Sequence, residues 1–302
     1  MRQGVDMKRV GMVGYGEVGR IFCAALRPQV SQVAAWDLAF ADPAVREPAL
    51  AHAAGQGVQA CAGVPELCAG AEVVMSAVTA SSTLVVAEAV AVHIAPGAFF
   101  LDLNSASPGT KQAAAACIDA AGGRYVEAGV MTSVPPHGIA VPMLLGGPHA
   151  AALLPTLLGW GMKAQVASER VGVASATKMC RSVMIKGLEA LVIESYATAR
   201  HYGVDTAMIA TLQETFPGID WSRQGSYFFS RVAQHGRRRA EEMREAANTV
   251  REAGFEPFMS EAIARKHDWM ADQARDGSFD GLPSEHDWSL LADALLKARQ
   301  SG

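Results

Sequence analysis

The stretch Val10–Gly19, VGMVGYGEVG, limits the fold more than any other part of the chain. Gly14-x-Gly16-x-x-Gly19 gives a turn without Cβ atoms, the geometry needed where backbone must come close to a pyrophosphate. The residues that follow, RIFCAALR, read as a helix whose N-terminal N–H groups and positive dipole end favour such an anion. A glycine pattern alone is a weak signal. Here an apolar strand precedes it, a helix follows, and the next strand, SQVAAWD, ends in Asp37. Asp37 lies about 20 residues beyond Gly16, the spacing of the acid that accepts from a ribose 2′-hydroxyl. Gly14, Tyr15, Gly16, Glu17, Val18, Gly19 and Asp37 are therefore expected to bind a dinucleotide.

The chain after this motif alternates between strand and helix patterns. Strands are expected over Lys8–Val13, Val33–Trp36, Val58–Ala60, Val73–Val78, Ala98–Leu103, Tyr125–Val130, Val141–Leu145 and Lys163–Val166. Helices are expected over Glu17–Leu26, from Asp42-Pro43 to Ala54, over Pro65–Ala69, Thr79 to His93, and from the Ser107-Pro108 cap to Ala121. Val73–Val78 is an apolar run apart from Ser76, as in a parallel sheet buried on both faces. The expected fold class is α/β: an N-terminal Rossmann doubly wound parallel sheet, followed by an all-α C-terminal domain. Residues 1–166 form the dinucleotide-binding domain and 167–302 the helical substrate and dimerisation domain, with residues 1–6 a frayed leader. A length of 302 residues suits two cores better than one.

Ligands of such a sheet sit beyond the carboxyl ends of its strands. Val78 and Thr79 at the end of the fourth strand are expected at the cofactor. Asn104 and Ser105 follow the fifth strand and Thr132 and Ser133 the sixth; these four are candidate substrate contacts, with Asn104 also at the cofactor. Ser107 reads as a helix cap.

The second half is helical, beginning with a helix from about Ala174 to Tyr202 that Gly203 closes. At 100° per residue, Ser182 lies about 40° round from Lys178 and Glu189 about 20°. A lysine on a largely apolar helix is costly to bury unless paired. Two readings stand side by side: Lys178 as a proton carrier oriented by Ser182 and Glu189, or the three as a packing network. A further helix, Ser226–Ala253, carries HGRRRAEEMRE, where Arg237–Glu241 and Arg238–Glu242 are i,i+4 pairs. A solvated salt-bridged face is the expectation for Arg237–Arg239, with ligand contact the alternative. Of the two HDW triplets, at His267–Trp269 and His286–Trp288, His267-Asp268 could line a cleft. Ser284 reads as an N-cap ahead of Glu285, and no metal site stands out.

GMVGYGEVG, AEVVMSAVT, DLNSASP and GVASATK occur here in the order seen in β-hydroxyacid and 6-phosphogluconate dehydrogenases, and the chain resembles that superfamily. The segment RRRAEEMREAANTVREAGFEP is similar to a branch with a C-terminal domain of unknown function. The resemblance implies NAD(P)-dependent oxidation of a hydroxyl near a carboxylate, and homodimers or higher homo-oligomers. It places Lys178 at the catalytic lysine and Asn104-Ser105 at an Asn-Ser pair. Met131, Thr132 and Ser133 stand where the superfamily has Ser-Gly-Gly, and Ser182 where it has asparagine, so Ser182 becomes a substrate candidate and 6-phosphogluconate is disfavoured. Asp37 favours NAD, since a carboxylate repels a 2′-phosphate, although NADP is possible if Arg46 folds back.

The expected partner is a small hydroxy or keto acid. A net charge of −4 gives no basis for nucleic acid, no apolar run spans a membrane, and no signal-peptide pattern precedes the first strand. Five cysteines without metal-like spacing read as buried hydrophobes in a reducing, cytoplasmic setting. Reduction of an imine, and NAD(H) binding without turnover, are the alternative functions.

Overall fold

The computed structural model describes residues 7–283 and 287–300. The leader over 1–6 and the cap reading at Ser284 and Glu285, with His286, lie outside the described residues. The chain divides into two compact units, Met1–Met179 and Cys180–Gly302.

The first unit is built on eight strands. These are β1 Arg9–Val13, β2 Gln32–Trp36, β3 Gln59–Ala60, β4 Val73–Ser76, β5 Phe99–Asp102, β6 Arg124–Val130, β7 Pro142–Gly146 and β8 Lys163–Ser168. Their order is β3-β2-β1-β4-β5-β6-β7-β8, parallel except for the antiparallel β6–β7 pair. That pair closes through the Pro135-Pro136-His137-Gly138 turn, where no crossover helix intervenes. From β1 the chain runs outward to β2 and β3, then returns to β4 on the other side. The reversal opens a crevice beyond the carboxyl ends of β1 and β4.

Successive strand residues point to opposite faces, so each strand feeds two cores. Met12, Met75 and Leu101 face one side, covered by α1 Glu17–Leu26, α2 Arg46–Gly55 and α6 Ala150–Gly159. Val13, Val74 and Phe100 face the other, covered by α3 Val64–Cys68, α4 Thr83–Ala91 and α5 Pro108–Ala120. Helix α6 was not anticipated, because Pro155 in its interior normally argues against one. Its buried Leu153 and Leu157 hold it on the sheet despite that residue.

Two expected helices start later than the sequence indicates. Asp37 caps a short 3-10 turn, Leu38–Phe40, by accepting from the Ala39 N–H, and α2 begins only at Arg46. After β4 the backbone stays extended through Thr79 and makes a 3-10 turn, Ala80–Ser82, before α4. The fourth strand thus ends at Ser76 rather than Val78. Ser107 caps α5 as expected, its hydroxyl accepting from the Thr110 N–H.

Helix α7, Val173–His201, begins in the first unit and continues into the second. The division between the units at Met179/Cys180 therefore falls within a helix, whose first turn is bonded to β6. The second unit also contains α8 Asp205–Thr215, α9 Trp221–Glu252, α10 Phe258–Arg275 and α11 Trp288–Gln300. Its core includes Ile193, Tyr196, Phe229, Val232, Met270 and Leu291. Cys180 is exposed, unlike the buried Cys23, Cys61 and Cys68, so the five thiols are not uniformly core residues. Among the described residues no helix is long and apolar enough to cross a membrane, and no group of three or more His, Cys, Asp or Glu is placed to hold a metal.

Candidate active site

The three motif glycines have different physical reasons to be glycine. Gly14 sits at φ +92°, and a Cβ there would lie 2.4 Å from the Ala77 carbonyl oxygen at the end of β4. A Cβ on Gly19 would lie 1.9 Å from the Gly14 carbonyl oxygen, so its absence lets α1 pack against the turn. A Cβ on Gly16 would meet no protein atom within 4 Å. Gly16 is the N-cap of α1, and no side chain caps that helix. Two glycines are thus demanded by the protein itself. The third opens a cradle at a helix N-terminus where a phosphate group fits.

Asp37 closes the cradle on the β2 side. Its Oδ2 accepts from the Tyr15 N–H at 2.6 Å and its Oδ1 from the Ala39 N–H at 2.8 Å, which fixes the carboxylate in place. Each oxygen keeps acceptor capacity for a ribose hydroxyl. The Tyr15 ring points into the core, 3% exposed, with its hydroxyl 3.1 Å from His52 Nδ1. Any contact Tyr15 makes with a nucleotide in this arrangement is through its backbone. Glu17 and Val18 open α1 beside Gly16.

Asn104, which the sequence offers to cofactor and substrate, is 3% exposed and bonded into the protein. Its Oδ1 accepts from the Val78 N–H at 2.7 Å and its Nδ2 donates to Ser76 Oγ at 2.9 Å. Asn104 therefore ties the end of β4 to the loop after β5 and holds the extended backbone at Val78 and Thr79. Behind it, the buried Asp102 accepts from the Asn104 N–H, from Lys111 Nζ at 2.8 Å and from the Tyr125 hydroxyl at 2.7 Å. Burial and the Asp102 charge push the Tyr125 phenol well above its ordinary range, so it stays a donor. Sequence reasoning missed Lys111. A lysine preceding QAAAAC carries no local sign of burial.

Ser105, next along, is half-buried and receives a 2.5 Å hydrogen bond from Lys178 Nζ. Residues 73 positions apart are thereby joined within the first unit. Thr132 is exposed and Ser133 half-buried in the loop after β6.

Ser182 and Glu189 belong to the second unit, where other cations hold them. Ser182 Oγ accepts from Lys186 Nζ at 3.3 Å, and Lys186 pairs with Glu242 at 2.7 Å. Glu189, 1% exposed, takes a two-pronged pair from Arg239. The arginine-rich segment is thus only in part a solvated face. Arg237 is exposed but pairs with Asp268 and Asp272 on α10 rather than with Glu241, Arg238 lies 4.0 Å from Glu242, and Arg239 is buried. The i,i+4 rule sees one helix and cannot see the acids of its neighbour. His267 is fully buried rather than lining a cleft, 3.7 Å from Glu189. Burial first, then the Arg239 and Lys186 charges, lower its pKa to about 3.

The family described as the NAD binding domain of 6-phosphogluconate dehydrogenase matches residues 9–152, and the domain of unknown function DUF1932 matches residues 199–270. A conserved hypothetical protein from Sinorhizobium meliloti is 37% identical, with 96% of each chain covered and a TM-score of 0.75. The chain belongs to the β-hydroxyacid and 6-phosphogluconate dehydrogenase-like superfamily, in the branch with a DUF1932 C-terminal domain. A conserved protein of unknown function, MTH1747, described as structurally similar to 3-hydroxyacid dehydrogenases, is 29% identical over 88% of this chain and 98% of its own, with a TM-score of 0.67. Mycobacterium tuberculosis 3-hydroxyisobutyrate dehydrogenase, solved with L-serine, shares the fold at 18% identity, with 96% and 99% coverage and a TM-score of 0.66. In this superfamily member the first unit holds the open Gly16 cradle, the fixed Asp37 and the Lys178–Ser105 pair.

Proposed function

We propose that the chain is an NAD(P)-dependent oxidoreductase that interconverts a small hydroxy acid and its keto form, with Lys178 as general acid and base. The observation that carries the reading is the Lys178–Ser105 hydrogen bond in the unit that also holds the dinucleotide cradle. The bound nicotinamide would supply the acceptor or donor of hydride. Gly14–Gly19 would hold its pyrophosphate through backbone N–H groups and the α1 N-terminus, Asp37 the adenosine ribose, and the backbone at Val78 and Thr79 the adjoining part of the nucleotide.

Lys178 Nζ would take the proton of the substrate hydroxyl during oxidation and return it to the carbonyl oxygen in reduction. Ser105 Oγ holds the amine in place and can exchange its hydrogen bond for one to substrate. Thr132 and Ser133, in the loop after β6, would contact the remainder of the substrate. NAD is favoured over NADP because the Asp37 carboxylate, anchored by two backbone N–H groups, cannot turn away from a 2′-phosphate.

The test is fluorescence titration with NADH and NADPH, followed by a turnover screen of 3-hydroxy acids, including L-serine and 3-hydroxyisobutyrate, and their oxo forms. Lys178→Ala is expected to bind NADH normally and to lose about 10²–10⁴-fold in kcat. Failure to bind either nucleotide refutes the reading. Bound NADH with no turnover on any hydroxy or oxo acid favours a binding protein, and imine reduction that survives Lys178→Ala favours an imine reductase.

A further inference from the structure

Glu127 lies in the middle of β6, is fully buried, and has no part in the mechanism above. Its carboxylate reaches out of the sheet to the start of α7. Oε1 accepts from the Gly172 N–H at 2.7 Å and the Ala174 N–H at 3.1 Å, and Oε2 accepts from the Ser175 N–H at 3.3 Å. A helix leaves its first N–H groups without internal partners, and these are ordinarily met by a neighbouring serine, threonine or aspartate. Here they are met by an acid more than forty residues away in sequence. A carboxylate at that position also interacts favourably with the helix dipole.

The neighbouring strand is shaped around this acid. In the β6–β7 ladder Glu127 faces Gly146, and a Cβ on Gly146 would lie 2.2 Å from Glu127 Oε1. Gly146 thus leaves the gap through which the carboxylate passes. Lys178 stands about one turn beyond Ala174, roughly 6 Å along the helix axis. From β6, the position of the Lys178 backbone is fixed through the Glu127 bonds to the first turn of α7.

The geometry points to Glu127 as a positioning residue: its carboxylate clamps the first turn of α7 to the sheet and so sets Lys178 Nζ against Ser105. This rests on the reading of Lys178 as the proton carrier. Glu127 touches neither lysine nor ligand and acts through the helix backbone. Glu127→Gln keeps the volume but sets an amide N–H₂ where one of the backbone N–H groups needs an acceptor. Because alignment of a reacting group carries a large part of a barrier, a small displacement of Nζ reduces turnover without reducing nucleotide binding.

The test compares wild type, Glu127→Gln and Gly146→Ala by hydrogen exchange, by acylation of Lys178 with an amine-reactive ester read by mass spectrometry, and by NADH titration. The expected result in both variants is amide exchange over residues 172–178 faster by about tenfold or more. Lys178 acylation should change severalfold, with exchange elsewhere in the sheet and NADH affinity unchanged. With any hydroxy acid that is turned over, kcat should fall about tenfold or more at nearly constant KM. Gly146→Ala displaces the carboxylate without altering residue 127, so it decides the matter if Glu127→Gln does not fold. The double variant should be no worse than the single ones, because both break the same contact. Unchanged exchange over 172–178, or unchanged Lys178 labelling, overturns the clamp. Failure of the lysine reading shows separately, as turnover that survives Lys178→Ala.

Discussion

The different reasons for Gly14, Gly16 and Gly19 give a prediction that separates protein-imposed from ligand-imposed sequence. Gly19→Ala puts a methyl group 1.9 Å from a backbone oxygen, and no rotamer change relieves a clash between two backbone-fixed atoms. The turn and α1 must move apart, at a cost of about 3 kcal/mol or more, the upper range of overpacking. Gly16→Ala is different. Gly16 has φ −74° and ψ −161°, which alanine adopts, and its Cβ would meet nothing. Alanine gains about 0.4–1 kcal/mol by restricting the unfolded chain and loses a similar amount as a poorer N-cap. Its stability should therefore stay within about 1 kcal/mol of wild type. The methyl group nevertheless projects into the space assigned to pyrophosphate. Loss of one charge-assisted hydrogen bond to a phosphate is worth about 1.5–3 kcal/mol, which weakens NADH binding about 10- to 100-fold. Chemical denaturation and NADH fluorescence titration measure the two effects independently. A Gly16→Ala protein that binds NADH as wild type does would refute the placement of the pyrophosphate, and one that is destabilised as much as Gly19→Ala would refute the argument from open space.

Other outcomes follow from the same structure. Asp37→Ala should weaken NADH binding about tenfold while affecting NADPH less, a narrowing of the NADH/NADPH affinity ratio that parallel titrations measure; an unchanged ratio would remove Asp37 from the nucleotide site. Arg239→Leu leaves Glu189 buried without its partner and should destabilise by about 3–5 kcal/mol in urea, whereas Arg239→Leu with Glu189→Leu should recover most of the loss. His267 is held neutral, with its folded pKa lowered to about 3 from 6.5. Its contribution is therefore fully present above pH 6.5 and is lost as pH falls toward 3, because the unfolded chain takes up the proton first. The full difference corresponds to roughly 5 kcal/mol. His267→Leu should flatten the acid limb of the stability–pH curve, and a limb as steep as that of wild type would contradict the assignment.

How much of this was legible in the sequence depends on whether the signal was local. The glycine turn, Asp37 and the strand ends lie within short windows, and their spacing alone places them around a sheet crevice. Lys178 was marked by its charge on a largely apolar helix and Ser105 by its place at a strand end, but the pairing of the two, 73 residues apart, was not. Buried pairs assembled by tertiary structure left no trace in composition: Lys111 with Asp102, Arg239 with Glu189, and Glu127 with the α7 N-terminus. Helix α6 was hidden by Pro155, and the late start of α4 follows from Asn104 bonding the Val78 N–H, a contact between two strand ends that no window contains.

Asn104 shows why a polar residue at a strand end need not be the group that meets the ligand. Both ends of its amide are used by the protein, and its own N–H is held by Asp102. On the proposed function its contribution to binding would be the rigidity of the Val78–Thr79 backbone, since preorganised groups bind without a further ordering cost. Asn104→Asp preserves the shape but replaces the donor facing Ser76 with an oxygen and brings a second carboxylate beside Asp102. Ser76 can turn its hydroxyl to donate, so the hydrogen bond survives; the like charge in a buried site does not dissipate. The expected result is a loss of about 2–4 kcal/mol in stability, larger at pH 8 than at pH 5, with NADH affinity reduced in the fraction that remains folded. If Asn104 acted only by touching ligand, stability would be untouched and binding alone would fall, an outcome that urea denaturation at the two pH values separates from the first.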